Sequence, residues 1–211
     1  VYETNKNNFV LGDENIKITD STVTAAKLND VAKYTSGKVT ATLEAATTIN
    51  DATVTTTLAN VSGTDVISLT STETTADATA LIALNALVDT KSYAALTKIT
   101  ELSTTANLVT VITNALAIKP NVAVEITGPI SAADLNTIAG LTTGVVTATL
   151  ANNTAITDAT VIALANVDAN DVISLTSSVT SADATALVAL AAKVSTADTT
   201  AFSSVTTITE V

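Results

Sequence analysis

Apolar and polar residues alternate with a period of two in a series of short stretches, each followed by a run with near-helical spacing. Residues 15–19 place Ile16 and Ile18 on one face, the signature of a half-buried strand. A polar turn, Asp20-Ser21-Thr22, gives way to a helical pattern carrying Val23, Leu28 and Val31, and Ser36-Gly37 is expected to stop that helix with a left-handed glycine. The next strand is Val39-Thr40-Ala41-Thr42-Leu43, with Val39, Ala41 and Leu43 facing the core. Asn50 or Asp51 can cap a helix bearing Val54, Leu58 and Val61. A third strand is predicted over 66–70, and Thr75 or Asp77 opens a helix with Leu81, Leu84, Leu87 and Val88. A fourth strand around 98–102 leads into a helix over roughly 105–117, which ends ahead of Pro120.

The series then restarts. Val146-Thr147-Ala148-Thr149-Leu150 repeats residues 39–43 without a change, and residues 121–127 stand where 15–19 stood. Ser131 to Asn136 matches Thr24 to Asn29, Asp158 to Val161 matches Asp51 to Val54, and 171–176 and 182–187 repeat 65–70 and 76–81 residue for residue. Ile208-Thr209-Glu210 echoes Ile99-Thr100-Glu101. Strand–helix units recurring every roughly 23 to 33 residues lie in the period range of solenoids. They predict an α/β fold: a right-handed β-α solenoid with one parallel sheet, helices on the other side, and two tandem four-unit halves. The expected organisation is an N-terminal arm or cap over 1–14, one half over 15–120 and a second over 121–211, as one continuous body. Two separate α/β domains of about 100 residues are the alternative, against which stands the lack of a Pro-, Gly- or Ser-rich linker.

Composition narrows what such a body could do. Apolar residues make up 47% of the chain but aromatics only 2%, so Ala, Val, Leu and Ile must fill a thin core. Thr is roughly a fifth of the chain, a bias towards extended structure. His, Cys, Met, Trp, Arg and Gln are all missing. Imidazole and thiol catalysis, the usual zinc sites and bidentate arginine clamps are thereby excluded. A net charge of −11 argues against nucleic acid as a partner. The most apolar run, residues 184–194, is too short to span a bilayer, so no membrane insertion is expected. A chain opening on Val1 without any Met is expected to have lost a leader or to be part of a longer protein.

Few residues offer chemistry. Asp65 and Asp171 precede equivalent strands, and Asp168-Ala169-Asn170-Asp171 is the densest acidic turn. Asp168, Asp171 and Asp65 are candidate calcium ligands, since the hard ion takes carboxylate and carbonyl oxygens; turn and cap hydrogen bonding is the competing role. Thr40, Thr42, Thr147 and Thr149 point outwards and could order water as an ice-binding array, although Lys17, Ser68, Glu125 and Ser174 interrupt it. Carboxylate pairs for glycoside hydrolysis lack both an apolar cleft and aromatic sugar platforms. Asn60-Val61-Ser62 and Asn152-Asn153-Thr154 match the glycosylation sequon. Residues 1–14 are unlike the rest. Tyr2 and the apolar Phe9-Val10-Leu11 make them either a capping terminus or an arm that docks on a neighbouring copy by strand addition.

The phrases 131–150 (SAADLNTIAGLTTGVVTATL), 171–176 and 181–190 (SADATALVAL) resemble tandem repeat regions of large bacterial cell-surface proteins, cyanobacterial and marine ones in particular, of adhesin-like or surface-layer-like type. The resemblance covers roughly 15–211 and implies a structural or adhesive role outside the cell, often beside calcium-binding modules. Those modules' glycine-rich nonapeptides are missing here. No polar cap is evident at Thr209-Glu210-Val211, and an uncovered solenoid layer exposes core. The sequence therefore predicts a non-catalytic, extracellular subunit that polymerises head to tail into a filament or surface lattice, its partner being another copy of itself. An adhesin module holding a glycan or another cell surface is the alternative.

Overall fold

The computed structural model describes residues 12–195 and 201–210 of a mixed α/β chain, which divides into two units, Val1–Leu96 and Thr97–Val211. Unit 1 runs β1 (Ile16–Lys17), α1 (Ala25–Ala32), β2 (Val39–Thr42), α2 (Ala52–Thr57, a π-helical segment), β3 (Val66–Thr70), β4 (Thr75–Asp77), α3 (Ala78–Leu87) and β5 (Thr90–Ser92). β1, β2, β3 and β5 lie side by side in that order and all run parallel. Parallel neighbours need a long return connection, and α1, α2 and α3 lie in those returns. The alternation read in 39–43 holds: Val39, Ala41 and Leu43 are buried, Thr40 is half-buried and Thr42 exposed. Ile67, Leu69, Leu28, Leu58, Leu81 and Leu84 complete the interior of this unit.

Unit 2 runs β6 (Lys98–Leu102), α4 (Leu108–Ile118), β7 (Ala123–Ile130), α5 (Ala132–Ala139), β8 (Val146–Leu150), α6 (Asp158–Ile162), β9 (Val172–Ser174), β10 (Ser181–Asp183), α7 (Ala184–Ala191) and β11 (Thr207–Thr209). β6, β7, β8 and β9 are again neighbours in chain order and parallel, with Ile99 opposite Val124, Val124 opposite Val146 and Ala148 opposite Ile173. β10 and β11 form a separate parallel pair. Ile99, Ile112, Val124, Leu135, Val146, Leu150, Ile173 and Leu190 are buried.

The duplication in the sequence extends to hydrogen bonds. Thr24 caps α1 by accepting from the Lys27 amide, and Ser131 caps α5 by accepting from Asp134. Asp77 and Asp183 cap α3 and α7, each accepting from an amide three residues on at 2.9 Å. Asn29 accepts from the Asn60 amide and Asn136 from the Asn166 amide, both at 2.7 Å.

Several expectations change in detail. The strands do not make one sheet. β4, β5 and β10 are short strands where none was expected. β4 and β10 each end on the extended N-cap of the helix that follows, Asp77 and Asp183. The helix expected over 51–61 is instead the π-helical segment at Ala52–Thr57, capped by Asn50, whose Oδ1 accepts from the Thr53 amide at 2.9 Å. Threonine hydroxyls bond back to the backbone along this segment: Thr55 donates to the Asp51 carbonyl and Thr57 to the Ala52 carbonyl. Gly37 does not stop α1 in a left-handed conformation, since the only glycine with positive φ among the described residues is Gly128. Gly37 is small because the Glu14 carbonyl lies against it, and Gly144 has the same relation to Val122.

Candidate functional site

The acidic turns are the first place to look for chemistry, and their carboxylates are engaged by backbone. Asp65 is buried; its Oδ1 accepts from the Val39 amide at 2.7 Å and its Oδ2 from the Ser62 amide at 2.8 Å. Asp171 repeats the arrangement, accepting from Val146 at 2.8 Å and from Asp168 at 3.0 Å. Asp168 in turn accepts from the Asn170 amide at 2.7 Å. In each unit the aspartate therefore joins a turn to the first residue of the strand beside it, across 26 and 25 residues of chain. Asp168 and Asp171 share one shallow recess of about 280 Å³ with Lys193 and Ser195. Among the described residues, no three or more His, Cys, Asp or Glu side chains are grouped so as to hold a metal ion.

The outward threonines sit on a mixed face. Thr40 lies between Lys17 and Val66, and Thr42 beside Ser68; Thr147 lies between Glu125 and Val172, and Thr149 beside Ser174. Lysine, glutamate and the exposed Val66 and Val172 interrupt any flat threonine array. Lys98 crosses from β6 to β7 and pairs with Glu125 at 2.8 Å, both side chains being well exposed.

The strand edges are the most distinctive surface. Among the described residues, β1 pairs with β2 alone and β11 with β10 alone. All three residues of β11 are exposed, Ile208 to 62%. Its counterpart Ile99 in β6 is fully buried. The signal for this edge was in the sequence, in the echo of 99–101 at 208–210, but exposure could not be read there. A recess of about 490 Å³, lined in part by Ile156, Ala182, Asp183 and Thr209, opens beside the β10–β11 pair. On α6 and α7, Ile162 and Val188 are each more than 70% exposed. The proposed docking residues Tyr2, Phe9, Val10 and Leu11 lie outside the described residues.

Among the described residues no helix is long and apolar enough to cross a membrane. No protein-family model, curated protein or solved structure matches the chain.

Proposed function

We propose that this chain is a non-catalytic structural subunit of the cell surface, which polymerises head to tail into a filament or surface lattice. Its strand–helix units are read as turns of a right-handed solenoid. The observation that carries the reading is the pair of strand edges on β1 and β11 that meet no further strand among the described residues, the second exposing Ile208 where its repeat partner Ile99 is buried. Open edges invite main-chain pairing with another strand. A contact between two different surfaces of identical subunits grows into an open filament wherever its rotation does not close a ring. The acidic turns support the same role, because their carboxylates are used in holding strands in place.

Negative-stain electron microscopy of the purified chain, with and without millimolar calcium, tests this. Ordered filaments or sheets are expected in both conditions, since the aspartates already serve as acceptors for backbone amides. Dispersed single particles in both would overturn the proposal. Filaments that form only with calcium would reassign Asp168, Asp171 and Asp65 to ion binding.

A further inference from the structure

The internal repeat supplies a template for the joint between subunits, if the polymer reading above is accepted. β11 is a second copy of β6: Thr207-Ile208-Thr209-Glu210 matches Lys98-Ile99-Thr100-Glu101 at its last three positions. β1 is likewise a second copy of β7, by position. β1 sets Ile16 opposite Val39 and Lys17 opposite Thr40, while β7 sets Val124 opposite Val146 and Glu125 opposite Thr147. The strands they meet, residues 39–43 and 146–150, are identical.

Within unit 2, the β6 and β7 copies are joined edge to edge in parallel, with Ile99 opposite Val124, Thr100 opposite Glu125 and Glu101 opposite Ile126. Their equivalents, β11 and β1, each lack that neighbour among the described residues. We infer that β1 of a second copy of this chain adds to the open edge of β11 in the β6–β7 register. That register sets Ile208 opposite Ile16 of the second copy, Thr209 opposite its Lys17 and Glu210 opposite its Ile18.

Two features fit this occupant. The β6–β7 template is parallel, and β1 already runs parallel to its neighbour β2. Ile208 faces an apolar residue in the inferred register, as Ile99 does, so its exposed side chain becomes buried in the joint. The ion pair of the template is replaced: Lys98 and Glu125 correspond to Thr207 and Lys17, so the joint rests on main-chain hydrogen bonds and the isoleucine pair. Strand addition of this kind takes its affinity from backbone and its selectivity from alternate side chains.

Because the chain has no cysteine, introduced thiols report the register without interference. Thr209→Cys and Lys17→Cys alter directly opposed, exposed residues, and opposed strand positions fall within disulfide reach. Oxidation of a mixture of these two full-length variants is expected to yield a disulfide dimer well above either variant alone. Ile208→Lys changes an exposed position, so it is expected to keep the wild-type circular dichroism spectrum while weakening association at least about tenfold in sedimentation velocity. If the wild-type chain polymerises while Ile208→Lys polymerises equally well and the mixture gives no cross-link, the joint is wrong and the polymer stands. If the wild-type chain stays monomeric, both fall.

Discussion

Asp65 is an acidic residue committed to holding backbone in place. Its two carboxylate oxygens are committed to the amides of Val39 and Ser62, and the first of these belongs to a buried strand residue. Removing the acceptor strands a buried donor, which costs about 1–3 kcal/mol. Asp65→Ala should therefore lower the unfolding free energy measured by urea titration by that amount, and Asp171→Ala by less, because Asp171 is only half-buried. Equal midpoints for wild type and Asp65→Ala would remove the aspartate from the account. Tyr93 is the other telling residue. Burial raises its phenol from 10.0 to about 12, and its hydroxyl has no hydrogen-bond partner among the described residues. A raised folded value keeps the neutral form bound to its proton, so its contribution to stability is intact below pH 10 and is lost as pH rises towards 12. Thermal melts across that window should fall more steeply for wild type than for Tyr93→Phe; superimposable curves would contradict the burial argument. The sequence marked Asp65 and Asp171 as turn residues. It could not reveal that each reaches a strand some 25 residues away, since that pairing is a product of tertiary contact.

At the scale of elements, the strands with period-two patterning were legible, and so were the caps. Residues 39–43 and 146–150 alternate as read, and Asp77 and Asp183 begin α3 and α7. Asp183→Ala should cost about 1 kcal/mol by removing the acceptor for the Ala186 amide, as measured by thermal or urea unfolding. What stayed hidden depends on contacts that pattern does not encode. Three-residue strands such as β4 and β10 are too short to show a period, and the apolar spacing of 54–61 does not distinguish a π-helical turn from an α-helical one. Gly37 was expected to act through conformational freedom and acts through space instead, as does Gly144. A methyl at Gly144 would press on the Val122 carbonyl, whereas one at Gly63 meets nothing closer than 4.0 Å. Gly144→Ala is thus expected to destabilise by about 1–3 kcal/mol and Gly63→Ala to have little effect. Equal effects would refute the close-approach reading.

At the scale of the whole molecule, the tandem duplication was the strongest message in the sequence, and the structure carries it into paired hydrogen bonds at Asp65 and Asp171, Asn29 and Asn136, and Asp77 and Asp183. The division between units falls at Leu96 and Thr97, ahead of the restart at Asn121, because β6 pairs with β7 over five residues and so belongs to the second unit. Pattern alone does not fix such a boundary, because strand pairing decides which side β6 joins. The duplication also bears on assembly. One β6–β7 junction is completed inside the chain, while β11 and β1 present the corresponding edges unpaired among the described residues. Sedimentation equilibrium of the full-length chain over a wide concentration range tests that claim most directly. An open, head-to-tail association predicts an average mass that keeps rising with concentration and reaches no plateau. A mass fixed at that of the monomer, or levelling off at a closed dimer, would contradict it.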